Sequence, residues 1–126
     1  MRLTRNFSKQ EFDSKDGSEM PDEVLSNVIK LATQLQRIRD VINEPLHINS
    51  GYRSPAHNKA IGGVKNSQHV LGKAADITSK NFTPAQLYWI IEEMIDSGDL
   101  LQGGLGVYSG FVHYDIRGTK VRWDNR

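Results

Sequence analysis

The chain has 126 residues, of which 37% are hydrophobic and 25% are charged, and its 16 basic and 15 acidic side chains give a formal net charge of +1. This length and composition predict one folded domain over residues 1–126 and exclude a disordered chain. The charges are balanced and form no long run of one sign, so nothing indicates nucleic acid or a membrane surface as a partner. Because cysteine is absent, disulfides and thiolate metal ligands are excluded.

The first residues of the chain contain no apolar stretch of signal-peptide length. No segment approaches the roughly 18 apolar residues needed to span a membrane. We therefore expect a monomer that is cytoplasmic as synthesised and does not insert into a membrane. Such a chain would act outside the cytoplasm only after release by a separate export or lysis system.

Two helices are predicted in the first third of the chain. Ser8 and Glu11 have capping-box spacing, which predicts a short helix that ends before the turn-like segment 13–17. A second helix is predicted from Pro21, at its first position, to about Asn43. Its apolar residues recur at alternating spacings of three and four, which is typical of a helix with one buried face. They are Val24, Val28, Leu31, Leu35, Ile38 and Ile42.

The remainder of the chain is predicted to be mostly strand. Between the second and third strands, Thr83 and Gln86 form another capping box, which predicts a third helix that stops near Gly98. A turn at 109–110 predicts a hairpin. The strands are predicted at 46–50, 74–78, 104–108, 111–117 and 120–123. The fold class expected from this order is α+β, with about three helices and a mostly antiparallel sheet.

Strand 111–117 places three ionisable residues on one face. Alternate side chains of a strand share a face, so His113, Asp115 and Arg117 lie opposite an apolar set. Such a row is either a solvated face or a functional site. On this strand alone the solvated face is the commoner outcome.

Segment 67–76 adds a second polar cluster. His69 and Asp76 are seven positions apart and are separated by Gly72 and two alanines, which permit close backbone approach. Asp76 lies in a strand that reads as buried, where a carboxylate is costly unless it is paired or bound to a metal. Two imidazoles and one carboxylate form an open zinc set with the fourth position left for water. Taken singly, a histidine is more often at the surface or hydrogen-bonded, and a buried aspartate more often caps a turn.

These segments resemble the zinc D-Ala-D-Ala carboxypeptidase family, which includes D-Ala-D-Ala dipeptidases and phage endolysins. The resemblance runs from about residue 46 to residue 123. It is carried by motifs in the same order as in the family: Asn49-Ser50-Gly51-Tyr52-Arg53-Ser54-Pro55, Asn58-Lys59-Ala60-Ile61-Gly62-Gly63, Ser67-x-His69-x-x-Gly72-x-Ala74-x-Asp76, and Gly110-Phe111-Val112-His113-Tyr114-Asp115.

The resemblance implies a zinc site made by His69, Asp76 and His113. It implies that Arg53 reaches a carboxylate or carbonyl of a peptide substrate, for which a planar guanidinium is suited. It implies that Ser67 contacts substrate or supports a ligand. The fold implied is the small α+β fold shared with the Hedgehog signalling domain. The function implied is hydrolysis of peptide bonds in bacterial peptidoglycan, as a D-Ala carboxypeptidase or an endopeptidase, in the setting of a phage or prophage lysin.

One position departs from the family pattern. Many members carry an acidic general base three residues before the last zinc histidine, where this chain has Gly110. Asp115 is the nearest replacement, because residues two apart on a strand lie roughly 7 Å apart. In one hypothesis Asp115 accepts a proton from zinc-bound water and passes it to the leaving amine. In the other it orients a ligand imidazole, and the base is missing.

Two alternative functions follow from this departure. The first is a non-catalytic zinc-containing module that binds cell-wall peptide or a protein. The second is a metal-free structural domain, such as a component of a phage particle. Tyr52, Tyr108 and Trp123 are candidates for lining a cleft, although aromatic side chains more often simply pack.

Overall fold

The computed structural model describes residues 1–126 and contains the predicted alternation of helices and strands. A 3-10 helix comes first, followed by three α-helices and five strands. Their bounds are 3-10 helix Lys9–Phe12, α1 Asp22–Ile42, β1 Leu46–Ser50, α2 Pro55–Ala60, β2 Ala74–Ser79, α3 Pro84–Asp96, β3 Gly104–Tyr108, β4 Val112–Asp115 and β5 Val121–Asn125.

The five strands form one sheet in the order β1-β2-β4-β3-β5. Neighbouring strands are antiparallel except β3 and β5, which are parallel. The α+β class with a mostly antiparallel sheet is therefore confirmed. β4 ends at Asp115 instead of continuing to Arg117 as predicted. The Asp115 carboxylate accepts a hydrogen bond from the backbone N–H of Arg117 at 3.1 Å, which turns the chain away from the ladder.

The long helix α1 has the predicted apolar stripe, and all six of its apolar positions are buried. Pro21 is its N-cap rather than its first helical residue, and the Pro21 carbonyl accepts the first intrahelical bond from Leu25 at 2.9 Å. Asn43 ends the helix in the left-handed conformation, with φ 55°. No helix of the protein combines the length and the apolarity needed to cross a membrane.

The two predicted capping boxes are present. The N–H of Ser8 donates to Glu11 Oε1 at 3.0 Å, although the helix it starts is a single 3-10 turn. Thr83 Oγ1 accepts from the N–H of Gln86 at 3.1 Å and begins α3. Gly98, with φ 84°, follows the end of α3.

The sheet has one face in the core and one face that carries polar residues. The buried faces of α1 and α3 form a single hydrophobic cluster with inward residues of the sheet, among them Ala75, Leu105 and Tyr114. These three residues are paired across β2, β4 and β3. Residues one position away along each strand point to the opposite face, where the candidate site lies.

Candidate metal centre

A single row of paired residues crosses the polar face of the sheet. Asp76 on β2 pairs with His113 on β4, and His113 pairs with Gly106 on β3. Gly106 in turn pairs with Trp123 on β5. The sheet register thus brings together Asp76 and His113, which are 37 residues apart in sequence.

The third member of the group, His69, comes from the turn before β2. The turn depends on Gly72, which has φ 74° and whose added Cβ would lie 2.7 Å from a methyl carbon of Val24 on α1. Ser67 is buried, and its hydroxyl accepts the N–H of His69 at 3.2 Å. Ser67 therefore supports the backbone of His69 while it also lines the adjoining cleft.

The three predicted ligands converge with the spacing of a metal site. One ligand atom from each of His69, Asp76 and His113 lies within 4.8 Å of the other two. Asp76 Oδ1 is 3.2 Å from His69 Nε2 and 3.1 Å from His113 Nδ1. Ligand atoms bound tetrahedrally to zinc at about 2.0–2.1 Å are separated by about 3.3 Å, so these donors already stand at nearly that separation.

The hydrogen bonds on the far side of each imidazole determine which nitrogen faces the centre with a lone pair. His69 Nδ1 is 2.8 Å from the carbonyl of Gly51, which can only accept, so this nitrogen carries the proton. His113 Nε2 is 2.7 Å from Asp115 Oδ2 and likewise donates. In neutral imidazoles the inward nitrogens therefore present lone pairs to the Asp76 carboxylate. Three electron-rich atoms facing one another repel unless a cation or added protons lie between them, so the donor set fits zinc.

The carboxylates of Asp76 and Asp115 are held in their charged form, which suits a site for a cation. Burial raises the pKa of Asp76, but when the inward nitrogens of His113 and His69 are protonated, their hydrogen bonds outweigh burial and hold that pKa well below its usual value. Burial also raises the pKa of Asp115, and bonds from His113 and Arg117 again reverse the effect. Burial lowers the pKa of His113, but the carboxylates of Asp115 and Asp76 raise it by more. The pKa of His113 therefore lies above its usual value.

Asp115 lies behind His113 and not beside the open side of the centre. Its side chain is completely buried, and Oδ1 accepts from Gly104 N–H at 2.8 Å and from Arg117 Nε at 2.9 Å. Oδ2 accepts from His113 Nε2 and from an Arg117 terminal nitrogen, both at 2.7 Å. The imidazole of His113 separates this carboxylate from the inward ligand atoms. The geometry therefore fits the orienting role for Asp115, and the catalytic-base role stays a prediction.

The centre opens into a cleft of about 670 Å³. Arg53 lines the cleft and is held by three hydrogen bonds, to Ser50 Oγ at 3.1 Å and to Asn58 Oδ1 and Asp76 Oδ2 at 3.3 Å each. A guanidinium has five N–H donors, so Arg53 retains donors for a substrate while it stays oriented. Asp76 is the only carboxylate among the residues that line the cleft.

The structure shows which of the three aromatic candidates line the cleft, which the sequence did not indicate. Tyr52 is buried in the core, whereas Tyr108 and Trp123 line the cleft. The sequence feature that could have indicated side chains packed over β3 is the pair Gly104 and Gly106, which lie on the same face of this strand. An added Cβ would lie 2.3 Å from Asp115 Oδ2 at the first and 2.2 Å from the Trp123 ring at the second. Glycines two apart in a strand thus indicate that other groups lie over that face.

Comparison with known proteins agrees with this geometry. A family model described as Peptidase M15 matches residues 2–115. The zinc D-Ala-D-Ala carboxypeptidase of Streptomyces albus G is 36% identical over 53 residues, which cover 41% of this chain and 21% of that protein. The similarity to that relative thus spans about a fifth of its length. Because the family model covers most of the chain and a buried His-Asp-His group fits zinc binding, the chain belongs to the Peptidase M15 family of zinc peptidases.

Proposed function

We propose that this protein is a zinc-dependent peptidase that hydrolyses peptide bonds in bacterial peptidoglycan. The observation that carries the proposal is the convergence of His69, Asp76 and His113 on the wall of an open cleft beside Arg53. The D-Ala-D-Ala specificity in the name of the Streptomyces albus G relative supports the substrate class.

The residues of the centre have separable tasks. His69, Asp76 and His113 would hold zinc, which when bound polarises a carbonyl group and lowers the pKa of a water ligand. Asp115 keeps the imidazole of His113 in the tautomer and orientation that present Nδ1 to the centre. The carbonyl of Gly51 holds the imidazole of His69 by its Nδ1, so that Nε2 faces the centre.

Arg53 would bind the peptide. Its hydrogen bond to Asp76 Oδ2 places the guanidinium next to a proposed metal ligand. Because the Arg53 side chain is only 15% exposed, a substrate carboxylate would meet it in partly desolvated surroundings. A guanidinium can bind a carboxylate with two parallel hydrogen bonds, which orients the peptide as well as binding it.

The test is hydrolysis by the zinc-loaded protein. Purified peptidoglycan and a soluble pentapeptide ending in D-Ala-D-Ala are incubated with the wild-type protein, and new amine termini are quantified. Mass spectrometry of the products identifies the bond: free D-Ala indicates a carboxypeptidase, and separated cross-linked peptides indicate an endopeptidase.

The matched control is His69→Ala, which removes one ligand. We expect release by the wild-type protein and none above background by the variant. Equal release from the two proteins, or none from either, would refute hydrolysis at this centre. A peptide ending in L-Ala-L-Ala should resist cleavage if the proposed substrate class is right.

One observation favours a second candidate, a zinc-containing module that binds cell-wall peptide without cutting it. Gly110 supplies no acid, Asp115 is turned away, and Asp76 is the only carboxylate lining the cleft. This candidate predicts one zinc per chain and retention on peptidoglycan in a sedimentation assay, with no new amine termini. Detectable turnover that depends on His69 would exclude it.

A further inference from the structure

The hydroxyl of Tyr108 is a hydrogen-bond donor on the cleft wall with no acceptor in the protein. Its oxygen accepts from the indole N–H of Trp123 at 2.9 Å. An indole nitrogen can only donate, so the phenol uses a lone pair in this bond and keeps its own O–H. No other hydrogen bond of the protein involves this hydroxyl, and Tyr108 is only partly buried. The Tyr108 O–H is therefore a donor in the cleft that is held in one orientation and has no acceptor within the protein.

Two aromatic neighbours hold Tyr108 in place. Its ring stacks on Phe111 with centroids 4.4 Å apart and planes 15° apart. Trp123 reaches over β3 because Gly106 has no side chain, and its ring centroid lies 5.0 Å from that of His113. The guanidinium carbon of Arg117 lies 5.8 Å above the indole centroid. Trp123 is thus wedged between the ligand histidine and the Tyr108 hydroxyl.

Tyr108 and Arg53 lie on opposite sides of the metal ligands. Arg53 follows β1, and Tyr108 ends β3, next to the edge strand β5; the ligand-bearing strands β2 and β4 lie between β1 and β3 in the sheet. A peptide lying across the centre would meet one donor on each side. The charged fork of Arg53 matches a carboxylate, and the single neutral donor of Tyr108 matches a carbonyl oxygen.

We propose that Tyr108 is a catalytic residue whose hydroxyl donates a hydrogen bond to the carbonyl oxygen of the scissile peptide bond, and that Trp123 is the positioning residue that aims it. The inference rests on the proposed peptidase function. A donor held in place at an oxygen that gains negative charge contributes more in the transition state than in the bound substrate.

The variant Tyr108→Phe removes the donor and keeps the ring stacked on Phe111. We expect kcat to fall about 100-fold, by analogy with the loss of one oxyanion donor, with little change in KM. Zinc content should stay at the wild-type value, because no metal-ligand contact is lost, and the thermal midpoint should fall by only a few degrees, because the one hydrogen bond lost, from Trp123, is partly exposed. Tyr88→Phe is the matched control, since Tyr88 lies outside the cleft and should retain wild-type kcat.

A double-mutant cycle tests the role of Trp123. Trp123→Phe removes the indole N–H but keeps an aromatic ring beside His113, and should lower kcat less than Tyr108→Phe does. In a Tyr108→Phe background, Trp123→Phe should lower kcat little further, because Trp123 acts by orienting the hydroxyl that Tyr108→Phe removes. Fully additive effects would overturn the positioning role.

The outcomes separate this inference from the proposed function. A wild-type protein that hydrolyses the pentapeptide together with a Tyr108→Phe variant within twofold of its kcat would overturn the inference alone. An inactive wild-type protein would refute the proposed function. In that case calorimetry with a phosphinate analogue of D-Ala-D-Ala tests Tyr108 separately: affinity should fall about tenfold in Tyr108→Phe, and equal affinity would overturn the inference.

Discussion

Asp76 and Asp115 are both buried carboxylates beside His113, but they face opposite nitrogens of its ring. Asp76 Oδ1 is near Nδ1, and Asp115 Oδ2 is near Nε2. The two nitrogens diverge, so only Asp76 can share a metal with this imidazole. Asp115 instead forms a charged cluster with the Arg117 guanidinium, which leaves its oxygens no lone pair directed at the cleft. Identical side chains thus receive different tasks from their hydrogen-bond partners.

The orienting role of Asp115 predicts the behaviour of Asp115→Asn. An uncharged amide accepts more weakly from His113 and can present its NH2 group to that nitrogen instead. We expect zinc affinity to fall about 10–100-fold, as is typical when a partner of a metal-bound histidine is removed. The measurement is a zinc titration against a competing chelator.

The matched control is Asp124→Asn, since Asp124 is exposed, pairs with Arg126 and lies outside the cleft. It should bind zinc as tightly as the wild-type protein. Unchanged zinc affinity in Asp115→Asn together with lost turnover would instead favour the general-base hypothesis.

At the scale of the elements, the edge strand β5 matters because it carries Trp123. β5 is held to α3 by Arg122, which donates to Glu92 Oε2 at 2.6 Å and to Oε1 at 2.9 Å. Arg122 also donates to the carbonyl of Gly103 at 2.6 Å. Both side chains of the ion pair are about 15% exposed, so the pair is less screened than an ordinary surface pair. The strand that positions the aromatic wall is thus fastened to a core helix by a bidentate contact.

Glu92→Gln should lower the free energy of unfolding by about 1–2 kcal/mol at pH 7, because a charged bidentate contact becomes a neutral one. The hydrogen bond from Arg122 holds the pKa of Glu92 below its usual value. The contribution is therefore complete above the unfolded-state pKa of about 4.3 and is lost as the pH falls through the folded-state value. Urea unfolding at pH 7 and pH 3 measures both effects.

The difference between wild type and Glu92→Gln should shrink at pH 3. Glu93→Gln is the control, because Glu93 is exposed and forms no ion pair, and it should change stability by less than about 0.5 kcal/mol. A Glu92→Gln deficit that is the same at both pH values would contradict the assigned ion pair.

At the scale of the whole molecule, the metal ligands connect separate parts of the chain. His69 is on a loop, Asp76 on β2 and His113 on β4. His69 Nδ1 lies 2.8 Å from the carbonyl of Gly51, in the segment that follows β1. That segment is in turn held by the N-terminal region, since Tyr52 N–H donates to the carbonyl of Phe12 at 2.8 Å and a Cβ at Gly51 would lie 2.8 Å from the Phe12 Cα. Zinc would therefore act as a cross-link between segments that already pack together.

Removing zinc should lower stability. A ligand that binds only the folded state stabilises it by about 4 kcal/mol when its concentration is 1,000 times its Kd, so we expect the thermal midpoint to fall by on the order of 10 °C with a chelator. Calorimetry with added zinc and with chelator makes the comparison. His69→Ala should show the same midpoint in both conditions, and identical midpoints for the wild-type protein would contradict a zinc centre made by these ligands.

The long helix α1 and the face on which each strand residue lies could be predicted from local sequence periodicity. The three-and-four spacing predicted α1, because a helix brings such positions to one face whatever it packs against. Alternation in β4 correctly placed His113 and Asp115 on one face, since side chains of a strand alternate, whereas Arg117 lies beyond the end of the strand. The small residues between His69 and Asp76 indicated close packing, and Gly72 does adopt a positive φ against α1.

What only the tertiary structure decided is where the side chains on that face point. Asp115 and His113 are two residues apart in any strand, but the N–H of Gly104 and the guanidinium of Arg117 hold the carboxylate behind the imidazole. The place of Trp123 depends on parallel pairing between β3 and β5 and on the absence of a side chain at Gly106. Local sequence determines which face a residue occupies, because backbone geometry repeats. Its contacts across strands depend on register and rotamer, which are settled only when distant segments pack together.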